Sequence, residues 1–405
     1  MNLSCTLPAT ADVNYKAGVF FIMGKEDFTD LNKINASFNK TKTNSDWKES
    51  VMTWECSRLS KFIELKEEHQ SGNYKPDRLN RFIINERGHT RLVKAVSVKD
   101  RITLHTLCDM ELNPLIEKKI SYDNGASRKG KGIGHTRRRL SVHLNKYYKS
   151  NGNSWKGYIL LMDFSKFYDN ILHSEVRKIL RELTNDEYVL SLCDKFIDMF
   201  LVDVSDRDEE TIQRMTYGVL NILKDEGVNP CTKGERFIEK SMGIGSQLSQ
   251  SVGLIYPNEV DHLIKTVKGH KYSGRYNDDS YIIDSSKTRL LNTFEKVKEA
   301  CNKLGIHINL KKTCIRPLEK GFTFLKTKYI FEDNGRIIKI PAKDGFQRQK
   351  RVLKKKFSDG MNLIKIYYEY KSWRKEKLKR FNCYHRILRM DSYYNNLLIS
   401  YMNGA

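Results

Sequence analysis

The spacing of hydrophobic residues divides the chain into segments with β and helical patterns. Alternating apolar and polar residues at 81–99, interrupted at 86–88, predict a β-hairpin with a basic tip. The apolar run at 159–162 is typical of a buried strand. Helical periodicity is found in several further segments, namely 102–115, 175–183, 189–200, 247–264 and 294–304. This mixture predicts an α+β fold.

Two tight-turn sequences predict further hairpins. The Asn-Asp pair at 277–278 separates a strand that ends just before it from one that runs through the following apolar residues. The Asn-Gly pair at 334–335 separates a predicted strand at 322–330 from one at 337–340. Beyond residue 341 the pattern predicts helix, with an apolar stripe on a strongly basic background.

The N-terminal residues are predicted to form a polar helical extension. Within it, a stretch rich in Lys, Asn, Thr and Ser at 38–50 predicts a loop. Trp47 and Trp54 lie in or just after this stretch. We expect both to be buried core anchors rather than platforms on which bases stack.

The charge of the chain indicates the class of its partner. The 405 residues include 72 Lys and Arg against 49 Asp and Glu, which gives a net charge of +23. Such an excess is typical of proteins that bind a phosphate-bearing polymer. No apolar run approaches the roughly 20 residues of a membrane helix, so we expect a cytoplasmic protein with no membrane partner. The eight cysteines include no C-x-x-C pair, which argues against structural zinc and a disulfide framework.

Acidic residues at two predicted strand ends suggest metal chemistry. Asp163 ends the apolar run, and Asp278 and Asp279 lie at the predicted turn. A carboxylate at the end of a buried strand is costly without a partner, and divalent cations are suitable partners. Two such ions, roughly 4 Å apart, commonly catalyse displacement at phosphorus. The residues alone therefore predict phosphoryl or nucleotidyl transfer that depends on two Mg²⁺ ions, with Mn²⁺ as an alternative ion.

The densest basic segment of the chain is 127–139. Its glycines allow the backbone to approach a ligand closely, and its cations can neutralise phosphate. We expect nucleic-acid contact here rather than a nuclear localisation or heparin-type patch. The candidate contact residues are Arg128, Lys129, Lys131, Arg137 and Arg138. Glycines at 243 and 245, just before a predicted helix, are a weaker signal for a loop that approaches phosphate or ribose.

Taken in order, these segments resemble the motifs of reverse transcriptases over roughly residues 80–330. Met162-Asp163 followed by Phe-Tyr-Asp at 167–169 resembles the first metal-binding motif. Gly245 with Ser-Gln at 249–250 resembles the G-x-x-x-S-[PQ] motif of the nucleotide and template pocket. Tyr-Asn-Asp-Asp at 276–279 resembles the Tyr-x-Asp-Asp box.

Two later segments and one earlier residue extend the resemblance. Residues 305–313 resemble the motif that follows the Tyr-x-Asp-Asp box, and Phe-Leu-Lys at 324–326 resembles the primer-grip region. Arg91, in the predicted basic hairpin, resembles the residue of the fingers that holds the triphosphate. Ser-Gln at 249–250, in place of Ser-Pro, resembles the pair found in diversity-generating retroelement enzymes. No retron-like Val-Thr-Gly follows Asp279.

The resemblance implies a role for each of these residues. Asp163, Asp278 and Asp279 would bind the metal ions, with the backbone carbonyl of Phe164 as a further ligand. Lys312 would protonate the departing pyrophosphate, and Tyr168 would be the steric gate that excludes a ribose 2′-OH. The remaining nucleotide-binding residues would be Arg91, Lys94, Gly245, Ser249 and Gln250. Lys326, Lys354 and Lys355 would join the basic segment in binding nucleic acid.

The resemblance also implies a right-hand polymerase with fingers, a palm built on an antiparallel sheet with helices, and a short helical thumb. The expected division is an N-terminal extension at 1–80, fingers at 81–150, a palm at 151–335 and a basic thumb at 336–405. A finger-like helical insertion is expected at about 184–240 within the palm. The implied partners are an RNA template, a DNA product and dNTPs. The sequence leaves a homo-oligomer open.

Several functions remain open at this point. The leading hypothesis is an RNA-directed DNA polymerase that copies a dedicated non-coding RNA in anti-phage defence. A diversity-generating retroelement enzyme is the alternative. An RNA-dependent RNA polymerase shares the palm, but the aromatic Tyr168 disfavours it. A catalytically idle RNA-binding scaffold is disfavoured because all three acids are present.

Overall fold

The structure, a computed structural model, describes residues 24–86, 89–217, 230–232 and 236–404. Helices and strands alternate along it, which confirms the predicted α+β fold. None of the described helices is both long and apolar enough to cross a membrane.

Four helices form the N-terminal part of the described chain. They are α1 (Gly24–Thr29), α2 (Leu31–Lys42), α3 (Glu49–Cys56) and α4 (Arg58–Ser71). The loop predicted at 38–50 is therefore shorter, because its first five residues continue α2, where Phe38 is buried and the lysines face solvent. Trp54 packs against the core, but Trp47 is 73% exposed, so its expected role as a core anchor is wrong.

The predicted hairpin is confirmed, with β1 (Asn80–Glu86) paired antiparallel to β2 (His89–Ala95). Arg87 and Gly88 of its predicted turn lie outside the described residues. The following helices are α5 (Val98–Thr106), α6 (Asn113–Lys119) and α7 (Ile133–Ser150), with a π-helical turn at 107–112 between the first two. The predicted helix at 102–115 thus begins earlier, at the Ser97 cap, and changes its winding midway.

A four-stranded antiparallel sheet lies at the centre of the molecule. Its strands are β3 (Tyr158–Met162), β8 (Tyr272–Tyr276), β9 (Asp279–Asp284) and β11 (Cys314–Pro317), in the order β11-β3-β9-β8. The predicted turn at 277–278 is confirmed, because Tyr276 pairs with Asp279 and only two residues join the strands. A separate short pair, β4 (Phe164–Ser165) with β10 (His307–Ile308), continues from the end of β3.

Helices cover the sheet and carry its connections. They are α8 (His173–Leu183), α9 (Glu187–Asp198), α10 (Glu209–Tyr217), α11 (Gln247–Ile255), α12 (Asn258–His262) and α13 (Lys287–Lys303). A small sheet is formed by β5 (Val202–Asp203), β6 (Cys231–Thr232) and β7 (Phe237–Ile238). The helix predicted at 247–264 is interrupted at Pro257, which cannot donate the hydrogen bond that continuation requires.

The C-terminal part begins with a three-stranded meander. Its strands are β12 (Phe322–Phe324), β13 (Thr327–Phe331) and β14 (Ile337–Pro341). The single strand predicted at 322–330 is therefore wrong, because Leu325 and Lys326, with φ of 45° and 60°, form a two-residue turn inside it. The predicted turn at 334–335 is confirmed.

Three helices follow the meander and pack around their own apolar cluster. They are α14 (Lys343–Ser358), α15 (Leu363–Arg380) and α16 (Tyr384–Gly404). Leu353, Ile366 and Ile387 are buried in this cluster, separately from the two cores that cover the faces of the central sheet. The predicted C-terminal helices are confirmed, but their predicted apolar stripe is only partly so, because Ile364 and Tyr368 are exposed while Ile366 and Tyr370 are buried.

Candidate active site

Pairing of the central strands brings the three acidic residues to one end of the sheet. Met162 of β3 pairs with Ser280 of β9, so Asp163 emerges beside Asp279. The backbone N–H of Phe164 donates to the carbonyl oxygen of Asp278 at 3.3 Å, which holds the turn against the end of β3. Residues more than a hundred positions apart in sequence therefore share one site. Asp163 is buried, and the two turn acids are half-buried.

Burial and like charge raise the proton affinity of the two turn acids. Burial, reinforced by the charges of Asp278 and Asp163, raises the pKa of Asp279 to about 7. Burial also raises the pKa of Asp278, and the charge of Asp163 adds to this effect. Like charges gathered in a partly buried site are unfavourable without a cation. The end of the sheet is therefore an electrostatic site for positive charge.

Two residues from the segment after β10 contact Asp163 directly. The Lys312 ammonium lies 3.2 Å from Oδ1 and 3.1 Å from Oδ2 of Asp163. The side-chain amide of Asn309 donates to Oδ2 at 3.1 Å, and its backbone N–H donates to the carbonyl oxygen of Asp163 at 2.8 Å. Asn309 had no predicted role, and only its place in the motif at 305–313 could have drawn attention to it.

The donor chemistry of the acids fits a divalent cation. Carboxylate oxygens are the ligands that Mg²⁺ prefers, and few are needed because the ion keeps several waters. Within the described residues, no three His, Cys, Asp or Glu side chains are already arranged as a metal site. Asp163 instead directs both carboxylate oxygens towards Lys312. The acids thus supply suitable ligands, while an ammonium neutralises one of them.

Tyr168 lies beside the acids on a 3₁₀ turn, Phe167–Asn170, that follows β4. Burial raises its pKa to about 12, with a further contribution from the charge of Asp278, so the ring is neutral and close to the acidic site. Its hydroxyl packs on Gly253 of α11, where a Cβ atom would come within 2.7 Å of it. The glycine therefore makes the space in which the tyrosine ring lies.

The loop before α11 contacts strand β2. The backbone N–H of Lys94 donates to the carbonyl oxygen of Ile244 at 3.1 Å. Gly245 has a φ of 123°, and a Cβ atom there would lie 3.1 Å from the carbonyl oxygen of Lys94. Ser249 is buried and its hydroxyl has no hydrogen-bond partner among the residues that the structure describes, whereas Gln250 is exposed. Glycine is thus required where the loop and the hairpin meet.

The two predicted triphosphate contacts lie on opposite faces of the hairpin. Strand side chains alternate, and Arg91 and Lys94 are three positions apart. The charge of Arg91 lowers the pKa of Asp278, which shows that this residue lies on the acidic side. Lys94 is half-buried over the ring of Phe200, and burial lowers its pKa against the opposing effect of Asp169. The charge of Arg91 therefore acts on the acidic site, whereas Lys94 lies over the ring of Phe200.

The basic residues predicted to bind nucleic acid are either exposed or bound to neighbouring protein groups. Lys129, Arg138, Lys326, Lys354 and Lys355 are exposed. Arg128 instead forms an ion pair with Glu117 and donates to the carbonyl oxygens of Ser121 and Asn124. Arg137 donates to the carbonyl oxygen of Leu325 and lies over the ring of Phe381, and Lys131 lies 4.4 Å from the ring centroid of Tyr122. These three side chains bind neighbouring protein groups in this structure.

A known protein family matches the region that contains the proposed motifs. Residues 75–328, more than half of the chain, match the family described as reverse transcriptase (RNA-dependent DNA polymerase). No curated protein sequence matches the chain.

Two telomerases are among the solved structures to which this chain is similar. Telomerase from Candida albicans, in complex with a fragment of telomeric RNA, is 11% identical, with a TM-score of 0.48 over 81% of this chain and 59% of that one. Apo telomerase from Candida tropicalis is 13% identical, with a TM-score of 0.46 over 69% of this chain and 51% of that one. The chain thus spans only a little more than half the length of these telomerases.

Proposed function

The chain belongs to the reverse transcriptase (RNA-dependent DNA polymerase) family, and from this premise we propose that it copies an RNA template into DNA. The observation that carries the proposal is the meeting of Asp163, Asp278 and Asp279 at one end of the central sheet. Lys312 contacts Asp163, and the charge of Asp278 acts on Tyr168, which supports roles for both residues in nucleotidyl transfer.

We assign metal binding to the three acids. Asp163, Asp278 and Asp279, with the backbone carbonyl of Phe164, would hold two Mg²⁺ ions, and Mn²⁺ is the alternative ion. When bound, such ions activate the attacking hydroxyl and stabilise the charge that develops on the leaving group. The raised pKa of Asp279 supports this assignment, because a bound cation would relieve the repulsion that causes part of it.

The neighbouring side chains would bind and orient the incoming dNTP. Arg91 would neutralise the triphosphate from the hairpin, with Lys94 as a second cation. Gly245, Ser249 and Gln250 would shape the pocket, and the unpaired buried hydroxyl of Ser249 is available for a hydrogen bond. Tyr168 would stack below the ribose and exclude a 2′-OH. Lys312 would donate its proton to the pyrophosphate as the bond to the α-phosphorus breaks.

The proposed lobes follow the boundaries expected from sequence. Residues 1–80 would be the N-terminal extension, 81–150 the fingers, 151–335 the palm and 336–405 the thumb, with an insertion at about 184–240. Lys129, Arg138, Lys326, Lys354 and Lys355 would contact the backbone of template and product. Arg128, Lys131 and Arg137 remain in the proposal, although they would first have to leave their protein partners.

We further propose that the template is a dedicated non-coding RNA and that the enzyme serves anti-phage defence. Support comes from helices α1–α4, which pack against the core although they lie outside the family match at 75–328. Such an addition can recognise a partner that a minimal polymerase does not need. Ser249-Gln250 favours the alternative, a diversity-generating retroelement enzyme.

The proposal is tested on protein expressed with its native flanking DNA. RNA that co-purifies is sequenced, together with any DNA made when Mg²⁺ and dNTPs are added. The Asp278→Ala/Asp279→Ala double variant is the control. One defined RNA with matching DNA that the variant fails to make would support the polymerase. Bound RNA without any variant-sensitive DNA would contradict it and favour an RNA-binding scaffold.

The sequence of the product separates the two biological roles. DNA that copies only the dedicated RNA, with repeats or a fixed end, would support the defence role. DNA that copies a template repeat and carries frequent substitutions would support diversity generation. Both outcomes are read from the same sample, and neither requires knowing which hydroxyl group primes DNA synthesis.

A further inference from the structure

Arg275, which precedes the Tyr-Asn-Asp-Asp turn, has no role in the proposed reaction but is almost completely buried, with 2% exposure. Its Nε donates to both carboxylate oxygens of Asp261 in α12, at 3.0 and 2.9 Å. Its Nη2 donates to the carbonyl oxygen of Leu254 in α11 at 2.9 Å. Its Nη1 donates to the carbonyl oxygen of Asn277, inside the turn, at 3.1 Å. One guanidinium therefore joins two helices to the turn.

The backbone of Arg275 is also held in place, by hydrogen bonds to the loop at 123–125. The N–H of Arg275 donates to the carbonyl oxygen of Asp123 at 3.3 Å, and its own carbonyl accepts from the N–H of Gly125 at 3.1 Å. Strand β8 is at the edge of the central sheet, so this loop occupies the side of β8 that has no neighbouring strand. Arg275 is thus held on both sides while its side chain reaches the turn.

The turn itself needs such support. Asn277 has a φ of 53°, a left-handed conformation that asparagine adopts more readily than most non-glycine residues but still at a small cost. Its neighbour Asp278 lies where burial and like charge both act against ionisation. A turn under these constraints keeps one position only when surrounding groups define it.

We propose that Arg275 is a positioning residue that fixes the Asp278–Asp279 turn relative to α11, with Asp261 as its anchor. Its side-chain hydrogen bonds reach the turn through the carbonyl oxygen of Asn277 and not through the carboxylates of Asp278 or Asp279. Because α11 begins with the segment that contains Ser249 and Gln250, the same contact sets the distance between the acids and that segment. The inference rests on the proposed polymerase function and deepens it.

Stability alone is a weak explanation for this pair. A buried ion pair is commonly no more stabilising than well-packed apolar residues of similar volume. An arginine offers something that those residues lack, namely several donors in a rigid fork. Here the fork satisfies a carboxylate and two carbonyl oxygens from three different elements. Its directionality therefore points to placement of the turn.

The test compares Arg275→Gln, Asp261→Asn and the double variant Arg275→Gln/Asp261→Asn with a matched control. The double variant leaves no unpaired buried charge, so it is the one most able to fold. The control is Arg289→Gln, because Arg289 also pairs with an aspartate, Asp284, but at the opposite end of β9. If the double variant does not fold, Arg275→Lys, which keeps the charge beside Asp261, takes its place.

Two measurements are made on folded protein. Mn²⁺ binding without nucleotide is followed by the electron paramagnetic resonance signal of the free ion, and site binding is the part lost in Asp278→Ala/Asp279→Ala. Single-nucleotide incorporation on poly(rA)·oligo(dT) gives kcat and the KM for dTTP. A displaced turn should weaken site binding about tenfold and lower kcat about 100-fold, since errors near 1 Å cost that much, while KM stays within about threefold. Arg289→Gln should match the wild type.

The outcomes separate this inference from the polymerase proposal. Wild-type Mn²⁺ affinity and kcat in the folded double variant would overturn the positioning role. Equal losses in Arg289→Gln would also overturn it, because the effect would then be general loosening of β9. If the wild type incorporates no nucleotide but its Mn²⁺ binding still depends on Arg275, the polymerase proposal fails and the positioning role stands.

Discussion

At the scale of single residues, Tyr168 shows how a neutral side chain can control a charged site. Its ring occupies the space left by Gly253, and its hydroxyl has a pKa of about 12, so it adds bulk without adding charge beside Asp278. If this ring lies under the ribose, its size rather than its chemistry decides which sugar fits. The same position in an RNA-synthesising polymerase would have to be smaller.

We therefore predict that Tyr168→Ala admits ribonucleotides. The ratio of kcat/KM for dTTP to that for UTP should fall about 10- to 100-fold, the range in which a pocket discriminates by shape. Tyr168→Phe is the matched control, because it keeps the ring and removes only the hydroxyl, and it should discriminate like the wild type. An unchanged ratio in Tyr168→Ala would show that the gate lies elsewhere.

Lys312 allows a second test at this scale, because its neighbour Lys311 serves as control. The Lys312 ammonium contacts both carboxylate oxygens of Asp163 and lowers the pKa of Asp279. Lys312→Gln should reduce kcat about 100-fold through loss of a proton donor. Lys311→Gln should leave kcat within about twofold of wild type. Equal effects of the two substitutions would contradict the assignment to Lys312.

The pH dependence of Lys312→Gln follows from the same contacts. The pKa of Asp279, already raised to about 7, should rise further once the positive charge of Lys312 is removed. Because the acid must be ionised to bind metal, the acidic limb of the kcat–pH profile should move to higher pH. A profile that moves to lower pH, or does not move, would show that these carboxylates do not control the limb.

At the scale of elements, the contact between β2 and the loop before α11 links the hairpin to the acidic site. Gly245 combines a φ of 123° with a Cβ position 3.1 Å from the carbonyl oxygen of Lys94. Gly245→Ala should destabilise the fold by about 1–3 kcal/mol through backbone strain. It should also push β2 outwards and raise the KM for dNTP several-fold, measured by steady-state incorporation.

Gly72 provides the control for this prediction. It ends α4 with a φ of 77°, and beyond its chain neighbours no atom of the described residues lies within 4 Å of its Cβ position. Gly72→Ala should therefore show a comparable loss of stability in thermal unfolding, but no change in KM. If both variants raise KM equally, close approach of the hairpin is not what shapes the nucleotide pocket.

Turns between strands could be predicted from the sequence where local chemistry decides their structure. The Asn-Asp turn at 277–278 and the Asn-Gly turn at 334–335 were predicted because few residues tolerate those conformations. The turn at Leu325 and Lys326 was missed because neither residue favours positive φ. Only tertiary contacts can impose that geometry, and one is the hydrogen bond from Ala342 to the Lys326 carbonyl oxygen.

Site residues could be predicted only where a predicted strand end or a sequence motif marks them. Asp163, Asp278 and Asp279 were found from their place at strand ends, and strand pairing brings them together. The contacts of Asn309 with Asp163 and of Arg128 with Glu117 could not be predicted, because they join elements through packing rather than sequence spacing. A basic residue in sequence does not reveal whether its charge faces solvent or a neighbouring acid.

At the scale of the whole molecule, the positive charge is unevenly placed. The helices α14–α16 present exposed Lys354 and Lys355 near the end of the chain, and the same lobe contains its own core. Charges on a lobe with an independent core can follow a nucleic-acid backbone without disturbing the acidic site. Affinity for RNA should therefore depend on these lysines and on salt, while catalysis of bound substrate should not.

The dependence of RNA affinity on salt concentration tests the role of these lysines. Each phosphate contact on a single strand contributes about 0.7 to the slope of log affinity against log salt concentration. Lys354→Gln/Lys355→Gln should therefore reduce the slope for single-stranded RNA by about 1.4, measured by fluorescence anisotropy across a salt series. Lys287→Gln/Lys303→Gln, which removes two exposed lysines from α13, should leave the slope unchanged. Equal slopes for both double variants would mean that RNA is attracted by net charge alone, and the proposed contact of the C-terminal helices with nucleic acid would then be wrong.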